Sequence, residues 1–443
     1  MRETTGMAPA PGEDVTVDAP PSRPAWWRTR LVVWLQKLAL LAVTTMVCLV
    51  LVEVGFRLAG YQPIHAVYSK PELFWTHDEL LGWVQQPGVR GEYVGPRPYP
   101  VEFRNTVRIN SLGLRGPELS DVPAGGRRVL LLGDSQAAGF EVAEEHTYAA
   151  LVEKQLTADL GSPVQVLNAG VRGYGTDQAY LWYRELGRRL RPNVVVFHAS
   201  ENDPEDDTTL HRMRRPFGKA AFAPQPDGSL ELVGYPVPEY PLCSAYRLDA
   251  RFRMTRIDGA RTRAFCWAQV RLADHSAFLT FVASRIEHNR RLVQVLYGLG
   301  TPAEQPKPFE RSQPASPIPS LADAAPPTTQ GSAVPPPPLT TPAPPAPVAL
   351  DYAHQLTTTL IRKLAGEVRH DGAQFVLLAD DADLERLDEA AIAADGIEVI
   401  RANEAQDPDP AASRFRNDGH LNELGHRRLA GLLAPRLAEV IRR

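Results

Sequence analysis

From Arg128 onward the chain alternates between short apolar runs and longer stretches with helical spacing, and this restricts the fold more than any other feature. Val129–Leu132 is long enough for a buried strand and too short for a helix. His146–Leu160 follows with apolar residues at helical intervals (Tyr148, Leu151, Val152, Leu156, Leu160). Val164–Leu167 then reads as a strand, Gln178–Leu190 as a helix and Asn193–His198 as a strand. Strand and helix in quick alternation predict a parallel sheet with helices on its faces. The pattern breaks over 204–275, where Pro226-Asp227-Gly228-Ser229 stands between two short apolar runs as a hairpin turn. It resumes with a helix over Tyr352–Val368, a strand over Gln374–Leu378, a helical stretch Asp383–Ala393, a strand over Ile397–Ile400 and a last helix Asn422–Ile441.

Between the two halves, residues 301–347 hold 16 of the chain's 41 prolines and a single aromatic, Phe309. Such a segment cannot bury enough apolar surface to order itself. Because the alternation resumes after it, it reads as an insertion within one domain.

The first 25 residues are rich in Pro, Ala, Thr and acidic groups, without periodicity, and read as disordered. Trp26, Trp27, Arg28 and Arg30 then precede a mostly apolar stretch from Leu31 to Phe56, whose centre, Leu38–Val52, carries no charge. With Leu31–Leu35 it reaches the ~20 residues that a bilayer core requires. A buried core helix and a cleaved signal peptide are the alternatives. The unbroken apolar centre speaks against the first, and the long polar leader without a small-residue cleavage pattern against the second. Arg23, Arg28 and Arg30 before the stretch, against Glu53 and Arg57 after it, place the N-terminus in the cytoplasm and the rest outside.

The division expected is therefore a cytoplasmic disordered tail (1–30), a transmembrane anchor (31–56), a small β-rich prelude (57–125) and an α/β domain (126–443). Within the last, 204–275 forms a lid and 301–347 the disordered insertion. In the prelude the string Asn110–Gly116 looks like a specific loop with no evident chemistry. A net charge of −4 gives no footprint for a nucleic-acid partner. Of three cysteines, Cys48 lies in the apolar stretch, leaving Cys243 and Cys266 as a candidate disulfide in an oxidising compartment. No cysteine–histidine spacing matches a zinc site, so neither metal nor cofactor is expected.

The first strand ends at Gly133-Asp134-Ser135, and ligands of open α/β sheets collect at carboxyl ends of strands. Taken alone, Asp134 or Ser135 could simply cap a helix. A serine nucleophile needs a base, usually a histidine oriented by a carboxylate. Asp418 and His420 supply both on the loop before the last helix. An oxyanion would need fixed donors, and Gly173 after the second strand and Asn202 after the third can offer them. His426 reads as a packing or capping residue and His198 as a core histidine. The acidic run Glu201, Asp203, Glu205, Asp206 and Asp207 reads as a solvated loop.

These blocks together resemble the SGNH or GDSL hydrolases, above all their membrane-anchored bacterial members. The first block is Gly133-Asp134-Ser135, the second Asn168 through Gly173, the third Ser200-Glu201-Asn202-Asp203 and the last Asn417-Asp418-Gly419-His420. The resemblance implies a flavodoxin-like three-layer α/β/α sheet. It implies Ser135 as nucleophile, with its own N–H, the Gly173 N–H and the Asn202 amide around the oxyanion. It departs from the family at Ser200, where a glycine is usual, and at Asn417, which holds the usual aspartate position. That leaves Asp418, or alternatively a main-chain carbonyl, to orient His420. The function expected is an ester hydrolase acting on acylated envelope material, such as O-acetylated polysaccharide. The alternatives are an acyltransferase using the same acyl-serine and an inactive envelope scaffold.

Overall fold

The computed structural model describes residues 26–63, 74–96, 100–121, 125–211, 217–225, 229–248, 254–287, 350–405 and 410–443. The tail over 1–25, the insertion over 301–347 and the turn at 226–228 lie outside the described residues. Two compact units divide the chain, Met1–Val54 and Gly55–Arg443.

The first unit is carried by α1 (Trp26–Leu58). Its segment Arg30–Leu58 has a mean hydropathy of 2.4 over its most apolar window, and its side chains are exposed almost without exception. Such a helix satisfies its own backbone and is long enough for a bilayer. Membrane spans and signal sequences share these properties.

The second unit opens with two antiparallel hairpins, β1 (Trp75–Asp78) with β2 (Gly82–Gln85) and β3 (Arg90–Gly95) with β4 (Phe103–Arg108). Next come β5 (Arg127–Gly133), α2 (Ser135–Ala138), α3 (Tyr148–Leu160), β6 (Val164–Asn168), α4 (Thr176–Glu185) and β7 (Val194–His198). The region after them contains α5 (Asp203–Thr208), β8 (Thr209–His211), the β9–β10 hairpin (Ala221–Pro224, Leu230–Val233), β11 (Tyr246–Leu248) and β12 (Met254–Arg256). Helices α6 (Ala260–Arg271) and α7 (Ala277–Glu287) complete it. Last are α8 (Leu350–His370), β13 (Gln374–Ala379), α9 (Asp381–Leu384), α10 (Glu389–Ala394), β14 (Glu398–Arg401) and α11 (Glu423–Arg442).

Five of these strands form the parallel sheet, in the order β14-β13-β7-β5-β6. Successive residues of a strand face opposite sides, and β5 divides its side chains accordingly. Val129 and Leu131 pack with α3 and α11, while Leu130 and Leu132 pack with α4 and α8. The result is a three-layer α/β/α fold. From β5 the chain runs first to β6 on one side, then to β7 on the other. A sheet that reverses direction in this way leaves a crevice at the carboxyl end of the central strand, and Ser135 stands there.

The segment before the sheet packs against the chain that follows Ser135. Phe74, Tyr93, Phe103, Val107 and Ile109 share a core cluster with Ala138 and Phe140. Cys243 and Cys266 form a disulfide with their Cα atoms 5.6 Å apart, joining the segment before β11 to α6.

The acidic run after β7 is not a solvated loop. Asp203, Asp206 and Asp207 are buried within α5. Asp207 accepts hydrogen bonds from the Asp177 N–H at 3.0 Å and the Thr357 hydroxyl at 2.5 Å. Lys219 pairs with Asp177 beside it. A buried carboxylate persists only when it is paired or hydrogen-bonded, and the partners come from distant parts of the chain.

The β6 end loop touches α2 closely enough to exclude any side chain at Gly170. A Cβ there would lie 2.5 Å from the Ala138 nitrogen and 2.7 Å from the Ala137 carbonyl carbon. Gly170→Ala should therefore force the loop off α2 and lower the unfolding free energy by about 1–3 kcal/mol, read from urea denaturation.

Candidate active site

Gly133 adopts a φ of 148°, and a Cβ there would meet the His198 carbonyl oxygen at 2.8 Å. Only glycine lets β5 turn this sharply beside β7. Asp134 caps α2 by accepting from the Gln136 N–H at 2.8 Å. It also accepts from the Ser200 hydroxyl at 2.9 Å. The serine that replaces the usual glycine thus ties the ends of β5 and β7 together.

Ser135 Oγ lies 2.8 Å from His420 Nε2, although 285 residues separate them. On the other edge of the ring, Nδ1 bonds directly to Asp418 Oδ1, which also accepts from the His420 N–H at 2.9 Å. Asn417 bonds instead to Glu102 of the segment before β4. The structure therefore brings together Ser135, His420 and Asp418 in a line, with Asn417 turned away.

The three donor candidates differ in how they are held. Neither the Ser135 nor the Gly173 N–H makes an intramolecular hydrogen bond among the described residues, and Gly173 has a left-handed φ of 77°. Asn202 donates one amide hydrogen to Asp206 Oδ2 at 2.6 Å. A side-chain amide carries two hydrogens, so this bond orients the group and leaves the second free for a ligand. Asn202 borders a cavity of about 430 Å3 that it shares with Gln136, Ser200, Arg414, Gly419 and Arg428.

Burial opposes the charged form of both ionisable partners, and both resist it. His420 loses solvation, yet the negative charge of Glu141 and its bond to Asp418 outweigh that loss and the repulsion of Arg172. Its pKa is raised above the ordinary value. Asp418 is likewise half-desolvated, but the imidazole holds its carboxyl below the ordinary range. His198 and His426 behave oppositely. Desolvation lowers both, and His426 falls to about 3, helped by the charge of Arg115. Both are buried and bonded to Tyr148. His426 Nδ1 accepts the Tyr148 N–H at 3.2 Å, and His198 Nδ1 lies 2.9 Å from the Tyr148 hydroxyl.

Three residues escaped the sequence reading. Glu141 is a buried carboxylate whose Oε1 is 3.5 Å from His420 Nδ1. Arg172 pairs with it and lies over the Tyr93 ring, 4.9 Å from its centroid. Arg115, in the string that showed no chemistry, is buried and donates to the carbonyls of Ala138 (2.5 Å), Gly139 and Val142 (2.7 Å). The visible signal was one charge set among small and apolar neighbours: Glu141 between Phe140 and Val142, Arg115 between Leu114 and Gly116. Glu141, Asp418 and His420 put potential ligand atoms within 4.8 Å of one another. The guanidinium of Arg172 already supplies the positive charge there, and Nδ1 is committed to Asp418.

A parallel α/β/α sheet with this constellation at its switch point is the framework of a hydrolase acting on ester bonds. The chain belongs to the GDSL-like lipase/acylhydrolase family, whose sequence profile matches residues 131–428. Among solved structures it is similar to a lipase/acylhydrolase from Enterococcus faecalis, at 12% identity over 71% of this chain and 96% of that one, with a TM-score of 0.32. A variant of an acetyl xylan esterase from Geobacillus stearothermophilus matches at 9% identity over 70% and 93%, with a TM-score of 0.31. A psychrotrophic esterase from Pseudoalteromonas sp. matches at 7% over 72% and 100%, with a TM-score of 0.33. No curated protein matches by sequence.

Arg115 donates to the Ala138 and Gly139 carbonyls at the end of α2 and to Val142 beyond it, so Arg115→Met should remove the donor from buried carbonyls. A loss of about 3 kcal/mol in stability is expected, measured by chemical denaturation.

Proposed function

We propose that this chain is a serine esterase that cleaves an acyl ester at the cell envelope through an acyl-serine intermediate. The observation that carries this reading is the continuous hydrogen-bonded series from Ser135 through His420 to Asp418. In the first half-reaction His420 Nε2 takes the Ser135 proton as Oγ bonds to the ester carbonyl carbon. The negative oxygen that forms is received by the N–H groups of Ser135 and Gly173 and the Asn202 amide. The tetrahedral species collapses, the bond to the alcohol oxygen breaks, and His420 returns the proton to that oxygen. Water then attacks the acyl-serine with His420 as base, releasing the acid and restoring Ser135. Asp418 holds the imidazole in the required tautomer and balances its transient charge.

Two observations support an extracytoplasmic site for the catalytic domain. Arg23, Arg28 and Arg30 flank the start of the apolar stretch Leu31–Phe56, against Arg57 at its end, and Cys243 is bonded to Cys266. The cavity beside the site supports a polar substrate. Gln136, Asn202, Asp383, Arg414 and Arg428 on its walls suit hydroxyl groups better than a long acyl chain. An O-acylated envelope polysaccharide combines both features. An acyltransferase would share every step up to the acyl-serine, with a sugar hydroxyl replacing water, and the same polar cavity favours that second reading.

Ser135→Ala should abolish labelling by a fluorophosphonate probe and lower the hydrolysis of p-nitrophenyl acetate by several orders of magnitude. An unlabelled wild-type chain would overturn the enzyme reading. Product analysis with an oligosaccharide present separates release of acetate from its transfer. Asn202→Ala should reduce turnover by ~10²–10³ with little change in KM.

A further inference from the structure

Glu141 is a buried charge that the reaction steps leave unexplained. It lies between buried Phe140 and Val142, and its side chain is 1% exposed. Its Oε1 is shared between Arg172 and the edge of the His420 ring, while Oε2 is buried with no hydrogen-bond partner. An orphaned carboxylate oxygen in the interior is a standing cost to the fold. Pairing with Arg172 alone does not account for it, because that pair could sit elsewhere without facing the histidine.

We propose that Glu141 is a positioning residue for His420, a second carboxylate facing Nδ1 that stabilises the protonated ring together with Asp418. This rests on His420 acting as the proton carrier of the esterase. A count of charges shows what the arrangement accomplishes. Asp418, Glu141 and Arg172 sum to −1 around a neutral imidazole, and to zero once Ser135 has passed its proton to Nε2. Proton transfer therefore balances the negative charge on the Nδ1 side of the ring while an equal negative charge develops on the substrate oxygen at the separate donor groups, in a site largely shielded from water, where charge is felt strongly. The other ionisable neighbours do not change this count. His426 is neutral at working pH because burial depresses it, and the Asp134 carboxylate is engaged with Ser200 and the α2 backbone. Glu141 also offers a substitute acceptor. Asp418 comes from a loop one residue away from the family's usual aspartate position, whereas Glu141 is fixed behind α2 by Arg172.

The influence of both charges on His420 has a definite sign: Glu141 raises its pKa and Arg172 lowers it. Removing the carboxylate should move the acid limb of kcat/KM to lower pH, and removing the guanidinium should move it to higher pH. The wild-type limb itself should stand above the ordinary histidine value of about 6.5.

The experiment is the pH dependence of p-nitrophenyl acetate hydrolysis by the full-length chain in detergent. It compares wild type, Glu141→Gln, Arg172→Met, Asp418→Asn and the double variant Asp418→Asn/Glu141→Gln, each checked for folding by its thermal melt. The expected result is opposite displacement of the acid limb in Glu141→Gln and Arg172→Met, with kcat falling about tenfold in the former and KM little changed. Asp418→Asn should retain at least tenfold more activity than the double variant. Limbs that superpose on wild type in both single variants would overturn the proposal, as would a double variant no slower than Asp418→Asn. Should Glu141→Gln fail to fold, Glu141→Asp, which keeps the charge but draws it away from Nδ1, decides: a lower kcat and an acid limb moved to lower pH are expected, and a wild-type kcat and limb would overturn the proposal. A wild-type chain that takes no fluorophosphonate label would overturn the esterase reading and this proposal with it, an outcome distinct from superposed limbs in a chain that labels.

Discussion

The bond between Ser135 and His420 is the constraint on which the site depends, and nothing local supports it. One partner sits at the end of the central strand, the other on a loop leading into the last helix. What brings them within 2.8 Å is the packing of α11 against α3 on one face of the sheet. Leu429, Leu433 and Leu437 are buried there with Val152 and Leu156. His426, one turn into α11, stacks on Tyr148 at the start of α3 with ring centroids 5.6 Å apart, and so registers the helix along its neighbour. Burial holds that histidine neutral, leaving its nitrogen able to accept the Tyr148 N–H. The hydrophobic layer places the loop that carries His420, and a neutral buried imidazole refines its position.

Strand ends are tied to one another by short polar contacts rather than by more sheet. Asp134 joins β5 to β7 through Ser200, and Asn168 joins the β6 end to α2 by donating to the Ala137 carbonyl at 2.9 Å. Arg115 supplies the same service from the preceding hairpin region. The Asn168 and Arg115 contacts replace water that would otherwise solvate backbone carbonyls of α2 and the turn after it. The segment before the sheet is therefore part of the site, since Glu102 holds Asn417 and Tyr93 lies under Arg172.

The two departures from the family pattern now have physical accounts. A glycine in the third block would leave Asp134 with one fewer donor, and Ser200 provides it. Asn417 cannot serve as the carboxylate partner of an imidazole, and its amide is taken by Glu102. Asp418 reaches Nδ1 because the turn from Phe415 to His420, closed by the Phe415 N–H to the His420 carbonyl at 3.1 Å, folds it back over the ring.

What the sequence determined by itself was everything encoded in periodicity and in short ordered blocks. Alternating apolar runs specified the strands and helices of the sheet, and Gly133-Asp134-Ser135, Asn202 and Asp418-Gly419-His420 pointed to the chemistry. The bounds held closely: the last helix runs Glu423–Arg442 against an expected Asn422–Ile441. The stretch Gln178–Leu190, read as one helix, ends as α-helix at Glu185 and continues as a 3-10 turn. Asp383–Ala393, also read as one, divides into two short helices. Only the tertiary structure decided which charges are buried. Asp207, Glu141 and Arg115 are ordinary polar letters in one dimension, because a charge reveals its role only through partners tens or hundreds of residues away. Hydrophobic pattern is a local property that repeats along the chain, whereas the pairing of buried charges exists only after distant segments have met.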